Sequence, residues 1–472
     1  MYAIMKFILL FIFTAGIHGF TSAEESWRET QDTTGRSEKA TFNVKDYGAR
    51  GDGTTLDTKA INEAISACSK SSKGTVLFPT GRYLSGTIIL KSNVTIQIDN
   101  EATIVGTHDL NQYKSYVLRE RDPNRPINIT VRDSGGWCRA LVLGDGVENV
   151  RIIGSGTIDG SAVVDKQGEE GRRGPHGIFL GNSKHIVISG IRISRAGNYN
   201  IIGLDVEDCH FSKLTITEGS DGIHIRRGKD LVIEDCKFYT SDDAIAGGYW
   251  DNMKISDCLI NSSCNGIRLI LPASHLEIAN CQISGPGVFG HHRGSKSNPL
   301  VYNSLAGIIL QPGAWGIGPG KLEDVYIHDI RMRGLQTAFM IVLNEGNSGN
   351  NIRINNLKAS GITRNPCSIE AWTAGSNFTN LKLSNIDLSW ELHDEVNPPK
   401  ATIVRPRTEA RSLPFWGIYF RNVNNMQLDS VFLSVNRNQA GKVFGFAEVK
   451  KASFKEVRYS ESGMPVKTFQ WQ

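Results

Sequence analysis

Three aspartates have the spacing expected of a shared acid–base site. Asp221 and Asp243 are 22 residues apart, and Asp242 directly precedes Asp243. Apolar positions in this part of the chain recur at the same interval, so Asp221 and Asp243 should occupy equivalent places on neighbouring strands, about 5 Å apart. Carboxylates that close repel one another, which raises at least one pKa. A single aspartate would be an ordinary turn residue, but three at this interval favour a chemical role.

The chemistry that suits such a cluster is acid–base hydrolysis of a glycosidic bond. One protonated carboxyl group donates to the leaving oxygen, and a second carboxylate activates a water molecule. In an inverting reaction these two groups should lie roughly 6.5–9.5 Å apart. Neighbouring strands with a diagonal offset can supply that distance. This reaction needs no organic cofactor, and neither a cofactor nor a metal ion is predicted.

A repeat of about 22 residues must position these carboxylates. The phrases DLVIEDCKF (230–238), NMKISDCLI (252–260) and HLEIANCQI (275–283) alternate apolar and polar residues, and looser copies continue to residue 433. Short alternating runs broken by Asn, Asp, Ser or Gly indicate strands joined by turns. A repeat of this length that is β-patterned throughout predicts an all-β solenoid of the parallel β-helix type.

A second repeated column predicts which side chains point outward. In DGIHI (221–225), DAIAG (243–247) and NGIRL (265–269) the isoleucines recur every 22 residues and should fill the core. Alternation then places His224 and Arg268 on the outer face.

The segment LDTKAINEAISAC (56–68) has apolar residues at helical spacing and predicts an amphipathic helix. Such a helix should cap the N-terminal end, where a solenoid exposes unpaired strand edges.

The cysteines belong to the repeat. Their pattern predicts one stacked column, formed by Cys209, Cys236, Cys258 and Cys281. Because no CxxC pair accompanies them, a small apolar ladder is favoured over a metal or redox site.

The N-terminus and the composition bear on location and partners. Residues 1–23 have the layout of a cleaved secretory signal, and their apolar stretch is shorter than the roughly 20 residues of a membrane span. We expect a secreted protein, extracellular or periplasmic, with a flexible segment at 24–41 and one β-helix domain at 42–472. A net charge of +4, from 52 basic and 48 acidic residues, gives no reason to expect nucleic acid as a partner. A monomer without stable membrane insertion is expected.

Several motifs resemble glycoside hydrolase family 28, the polygalacturonase and rhamnogalacturonase family of right-handed parallel β-helices. The resembling segments are FNVKDYGARGDGTTLDTKAINEAI (42–65), GSGTIDG (154–160), RGPHGIFLGNSKHIVISGIRI (173–193), GSDGIHI (219–225) and SDDAIA (241–246). The resemblance implies an inverting hydrolase acting on a pectic or other uronate- or rhamnose-containing polysaccharide. By motif it implies that Asp221 is a water-activating base, Asp242 the general acid and Asp243 a second base.

Two departures from the family pattern bear on the substrate. Residues 264–266 (CNG) stand where polygalacturonases have Gly-His-Gly, and AGIILQP (306–312) lacks their Arg-Ile-Lys motif. Plain polygalacturonate is therefore a weaker expectation than a rhamnogalacturonan-type glycan. Arg268 is a candidate for the anionic contact, with a solvated strand arginine as the alternative. His224 and Asn265 are further candidates for binding substrate.

Two further segments are candidates for the walls of a cleft. The phrase GGYWDN offers Tyr249 and Trp250 for stacking on sugar rings. The insertion at 289–303 offers basic residues for contacts with anions, namely His291, His292, Arg293 and Lys296. Plain solvated loops are the alternative.

Two other functions are compatible with the sequence. A β-helix polysaccharide lyase would use calcium-binding carboxylates with a basic residue, places that the three aspartates and Arg268 can fill. A noncatalytic glycan-binding or adhesion protein on the same scaffold is the second, because a fold alone does not fix function.

Overall fold

The computed structural model describes residues 40–71, 74–119, 122–126, 137–292, 300–392, 401–437 and 440–471. The predicted signal at 1–23, most of the predicted flexible segment at 24–41, Arg293 and Lys296 lie outside the described residues. Within the described ranges, no helix has both the length and the apolar character to cross a membrane.

Short strands follow one another along the chain, and most pair in parallel with a strand one coil later. The N-terminal coils contain β1 (Ala40–Asn43), a 3₁₀ helix η1 (Val44–Tyr47), β2 (Asp52–Leu56), α1 (Thr58–Lys70), β3 (Gly74–Phe78), β4 (Gly81–Ser85), β5 (Ile88–Ile89), β6 (Val94–Ile98), β7 (Ala102–Gly106), η2 (Leu110–Gln112), β8 (Ala140–Asp145), β9 (Glu148–Gly154) and β10 (Thr157–Asp159). The central coils contain η3 (Glu169–Gly171), β11 (His176–Gly181), β12 (Lys184–Ser189), β13 (Arg192–Ser194), β14 (Ile201–Ser212), β15 (Thr215–Thr217), β16 (Ile223–Glu234), β17 (Lys237–Thr240), β18 (Ile245–Ser256), β19 (Leu259–Ser262), β20 (Asn265–Leu269), β21 (Ala273–Ala279), β22 (Gln282–Ser284), β23 (His291–His292) and β24 (Leu300–Val301). The C-terminal coils contain β25 (Ala306–Leu310), β26 (Gly320–Arg333), β27 (Thr337–Leu343), β28 (Asn347–Ile362), β29 (Cys367–Ala371), β30 (Phe378–Trp390), β31 (Phe415–Arg421), β32 (Val423–Val435), β33 (Lys442–Ala447), β34 (Lys450–Glu461) and β35 (Lys467–Thr468).

The repeat predicted from the sequence is the coil of a parallel β-helix, and the predicted fold class is confirmed. Ile223 pairs with Ile245, and Ile245 with Ile267, in parallel register on successive coils. All three side chains are fully buried. The 22-residue interval is therefore the length of one coil in this region, and each coil adds one layer to a continuous apolar core.

Asparagine and aspartate at the corners explain the polar interruptions in the repeat. One corner places a non-glycine residue at positive φ in successive coils, including Asp208, Asp230, Asn252, His275, Asp324, Asn351, Asn380 and Asn425. Short polar side chains tolerate this left-handed conformation better than most. They also link neighbouring coils, as where Asn252 Nδ2 donates to Asp230 Oδ1 at 2.6 Å.

The cysteine column is shorter than predicted. The residues that follow Cys236, Cys258 and Cys281 pair in register, so these three cysteines stack. Cys209 instead pairs with Ile186 and Leu231 and lies in another apolar column, because the 27 residues that separate it from Cys236 exceed one coil. All eight cysteines are described, and each thiol is free and buried, as expected of apolar ladder positions.

The predicted capping helix is α1, which begins and ends two residues later than expected. Its buried side chains include Ile61, Ala64, Ile65 and Cys68, and it packs against β1, β3 and β5. The Asp57 carboxylate before it accepts from the backbone N–H groups of Arg50 and Gly51 at 2.8 and 3.0 Å. The helix thereby covers apolar side chains of the first coils.

Candidate active site

The three predicted carboxylates meet at the start of two neighbouring strands. Asp221 precedes β16, and Asp242 and Asp243 precede β18. Gly222 N donates to the Asp243 carbonyl at 3.0 Å, which places Asp221 and Asp243 at equivalent points of adjacent coils, as expected. One side-chain oxygen of each aspartate lies within 4.8 Å of those of the other two. These nearest oxygens are closer than the roughly 6.5–9.5 Å expected between the groups of an inverting pair.

Asp242 is held by Arg173, to which the sequence analysis gave no role, and lies near His291 of the insertion at 289–303. Arg173 Nη2 donates to Asp242 Oδ2 at 3.0 Å, and His291 Nδ1 lies 3.9 Å from Oδ1. Burial would raise the pKa of Asp242, but the charges of His291 and Arg173 outweigh burial and lower it. The surroundings of Asp242 therefore favour its ionised form.

The pKa of Asp243 shifts in the opposite direction. Asn265 Nδ2 donates to Asp243 Oδ1 at 2.7 Å, and Arg268 Nε lies 3.9 Å from Oδ2. Burial, reinforced by the charge of Asp242 and opposed by Arg268, raises the pKa of Asp243 to about 6. In the unliganded protein a mildly acidic solution therefore protonates Asp243, whereas the resemblance implies that Asp242 is the acid.

Asp221 is hydrogen-bonded to a histidine of β16, the strand that follows it. His224 Nδ1 lies 2.6 Å from Asp221 Oδ2, and Arg226 Nε donates to His224 Nε2 at 2.8 Å. The Tyr199 ring stacks on the imidazole, with centroids 4.7 Å apart and planes inclined by 2°. Burial, followed by the charges of the two other aspartates, raises the pKa of Asp221. His224 thus contacts a carboxylate of the cluster.

Arg268 faces outward as predicted, but the solvated alternative is wrong. Its side chain is 5% exposed, and Nη2 donates to the Thr408 carbonyl at 2.7 Å. Its guanidinium carbon lies 5.5 Å from the centre of the Trp315 ring. Among the residues that the structure describes, Arg268 Nε has no hydrogen-bond partner. One donor of the buried Arg268 side chain is therefore left unsatisfied beside Asp243.

Tyr249 and Trp250 do not form a cleft wall, and that prediction is wrong. Both belong to β18. Trp250 is 1% exposed in the core, and its Nε1 donates to the Ile225 carbonyl at 2.8 Å. Tyr249 lies at a corner with positive φ and packs against Ile270 and Leu271. The Gly-Gly pair before them suggested a loop, but the strand continues through it.

The histidine insertion reaches the cluster through the first of its two histidines. β23 pairs with β24 in antiparallel fashion, and His291 rather than His292 approaches Asp242. Burial lowers the pKa of His292. Asn265, predicted to bind substrate, is fully buried and donates to Asp243. It supports a carboxylate of the cluster instead.

Two important neighbours of the cluster were missed. Arg173 lies within the resembling motif RGPHG, but 69 residues separate it from Asp242, and no local pattern joins them. Trp315 follows AGIILQP and is 58% exposed. Its position in a glycine-rich segment was the sequence signal that could have identified Trp315 as an exposed residue.

Two ligand sets in the described part of the chain lie close enough together to hold a cation. They are Asp221, Asp242 and Asp243, and Asp242, Cys264 and His291. Both sets depend on Asp242, whose Oδ2 already accepts from Arg173. A calcium ion takes six to eight oxygen ligands, and a guanidinium at this position opposes its binding.

Comparisons with known proteins agree with this architecture. A probable polygalacturonase of Vitis vinifera is 28% identical over 323 residues, which cover 65% of this chain and 63% of the relative. The family 28 exopolygalacturonase of Yersinia enterocolitica matches with a TM-score of 0.51 and 16% identity, over 91% of this chain and 79% of that one. PfbA, a surface adhesin of Streptococcus pneumoniae, matches with a TM-score of 0.51 and 15% identity, over 91% and 94%.

These likenesses define the class of protein as a right-handed parallel β-helix of the pectin lyase-like type, and the resemblance to glycoside hydrolase family 28 is confirmed. A family model described as rhamnogalacturonase A/epimerase, pectate lyase-like, matches residues 41–291. The chain belongs to this family. The aligned region spans less than two thirds of the grapevine relative, and the two structural likenesses concern the fold alone.

Proposed function

We propose that this protein is a secreted glycoside hydrolase that cleaves a uronate- or rhamnose-containing pectic polysaccharide. The observation that carries the proposal is the meeting of Asp221, Asp242 and Asp243 on a scaffold whose relatives include polygalacturonases. Two buried carboxylates beside a half-buried third cost stability at neutral pH. A chemical role gives a reason for that cost, which a structural role does not.

The charge pattern suggests how the carboxylates divide the work. Asp242 and Asp243 are adjacent carboxylates whose charges act on each other, so we assign the general acid to the pair rather than to Asp242 alone. The pair donates a proton to the leaving oxygen, and Asp221 accepts a proton from the attacking water. Inversion at the anomeric carbon is assigned from the family resemblance, and NMR of the first anomer released tests it.

Substrate recognition rests on the outer face next to Asp243. The Arg268 guanidinium places a positive charge beside Asp243 and favours an anionic sugar at that position. Trp315 offers an exposed aromatic ring for a sugar, and this ring lies near the Arg268 guanidinium. Trp315 thus takes the stacking role that the sequence analysis gave to Tyr249 and Trp250, and Arg268 keeps its predicted anionic contact.

The lyase alternative is less well supported, because Arg173 holds the Asp242 carboxylate that calcium would need. The adhesion alternative is favoured by one specific observation, the fold shared with the PfbA adhesin. Binding of glycan without cleavage would support it.

The test is a panel of pectic glycans, including polygalacturonate and rhamnogalacturonan, with reducing ends and ultraviolet absorbance recorded together. We expect new reducing ends without absorbance. Asp242→Asn should abolish release, and Asp230→Asn, a corner aspartate of the same region, should not. Absorbance from a new double bond would contradict hydrolysis in favour of lyase activity. Retention of glycan with neither signal would favour adhesion.

A further inference from the structure

The contacts of Asp221 form a directed chain of hydrogen bonds. A guanidinium has no acceptor, so Arg226 Nε can only donate to His224 Nε2. Nε2 must therefore carry a lone pair, which makes His224 neutral with its proton on Nδ1. That proton points at Asp221 Oδ2, 2.6 Å away. The geometry fixes both the tautomer of the histidine and the direction of its bond to the aspartate.

We propose that Arg226 and His224 are positioning residues that orient the Asp221 carboxylate and hold it ready to accept a proton from water. This inference rests on the proposed hydrolase function. In the reaction one water O–H bond breaks, its proton goes to Asp221 Oδ1, and its oxygen bonds to the anomeric carbon. The glycosidic C–O bond breaks with its electron pair on the leaving oxygen, which takes the proton of the Asp242–Asp243 pair.

Packing keeps this chain of hydrogen bonds in one arrangement. His224 and Arg226 are both buried, and the Tyr199 ring lies parallel to the imidazole at 4.7 Å. The Arg173 guanidinium carbon lies 5.6 Å from the centre of the same Tyr199 ring. Rotation of the imidazole would break two hydrogen bonds and this stack. The imidazole is thus held in the one orientation that donates to Asp221.

Asp221 needs such support because its surroundings oppose the anion. Burial, Asp242 and Asp243 all raise its pKa, while Arg173 and Arg226 lower it. A hydrogen bond donated to a carboxylate favours the charged form. The charged or titratable groups around Asp221 and His224 are Asp242, Asp243, Arg173, Arg226, Arg268, His176 and Tyr199. Of these, only Arg226 is hydrogen-bonded to His224 itself.

The first test compares pH profiles of kcat/KM. His224→Phe and Arg226→Met should lower kcat by roughly tenfold or more, part of the about 10²–10⁴-fold that a general base contributes. Their acidic limb should move to higher pH, because Asp221 loses stabilisation of its anion, and KM should change little. His224→Gln keeps an amide donor and should recover part of the activity. The control is His210→Phe, which removes a histidine bonded to Glu234 on another face.

An acidic limb unchanged in both variants, or an equal change in the control, would overturn the proposal. A second measurement does not depend on activity. Nitrogen NMR of the histidine-labelled wild-type protein should show His224 as the neutral Nδ1–H form, its signal identified by its loss in His224→Gln. A protonated ring or the Nε2–H form would refute the chain. Absence of glycan cleavage together with the Nδ1–H form would refute the proposed function and leave the hydrogen-bond chain in place.

Discussion

Arg173 and Asp242 join the loop before β11 to the turn before β18 through a hydrogen-bonded ion pair of 3.0 Å. Arg173 is nearly fully buried, so water does not screen the pair strongly. Burial opposes ionisation of Asp242, but His291 and this guanidinium together lower its pKa, while burial raises that of Asp243. The resembling motif at 173–193 contains Arg173, but the resemblance gave it no role.

Loss of the Arg173 charge should change the pH dependence. In Arg173→Gln the pKa of the Asp242–Asp243 pair rises, because a cation that favours the ionised form is gone. The basic limb of the kcat profile should therefore move to higher pH, with kcat reduced by about tenfold or more. Arg195→Gln, which removes an arginine paired with Asp159 at the surface, is the control. Equal pH profiles for the two variants would show that Arg173 does not control the pKa of the Asp242–Asp243 pair.

Activity of the wild-type protein should fall as the pH rises through about 6. The pKa of Asp243 is raised to about 6, mainly by burial, and a general acid works only while it is protonated. A pH–rate profile of kcat measures this limb. The limb should be absent from the residual activity of Asp243→Asn, and its persistence there would assign it to another group.

Asp243→Asn should also stabilise the protein at neutral pH. The folded pKa of about 6 exceeds the ordinary value of 3.8, so ionisation of the buried group above pH 6 costs folding free energy. Since one pKa unit corresponds to about 1.4 kcal/mol, the gain is on the order of 3 kcal/mol. Thermal unfolding should show a higher Tm at pH 7 and a difference that disappears below about pH 4. A destabilised variant at pH 7 would contradict this account.

Trp315→Ala should weaken substrate binding more than catalysis. The exposed ring lies against Arg268, which in turn lies 3.9 Å from Asp243. Removal of a stacking surface should raise KM about tenfold, with kcat nearly unchanged. Trp315→Phe should behave more like the wild type. Ile317→Ala, in the same exposed loop but without an aromatic face, serves as the control, and an equal rise in its KM would point to the loop as a whole.

The coil and the carboxylate cluster were predictable because both follow from one period. Ile223 and Ile245 recur at the coil length, and Asp221 and Asp243 keep the same offset from them. The prediction of a single cysteine column failed at Cys209, because the interval from Cys209 to Cys236 exceeds one coil. The 22-residue period could not reveal Arg173, because Arg173 lies in a loop whose course across the outer face does not follow that period.

The aromatic residues show a second limit. Tyr249 and Trp250 follow two glycines and read as a loop, yet they continue β18. The alternation that would place Trp250 inward is hidden by the corner at Tyr249, which has positive φ. Trp315, in a loop that does leave the coil, was the better candidate for a sugar contact.

The hydrogen bond from Arg268 to the Thr408 carbonyl spans 140 residues of sequence. On the ribosome, Arg268 is made long before Thr408. Arg411 follows Thr408 in the same loop, and its guanidinium binds the buried Glu370 carboxylate at 2.6 and 2.7 Å. The coils that carry the aspartates can stack while the rest of the chain is still being synthesised. The loop that contains Thr408 is made after those coils, so the nascent protein gains its complete site only once this loop has been synthesised.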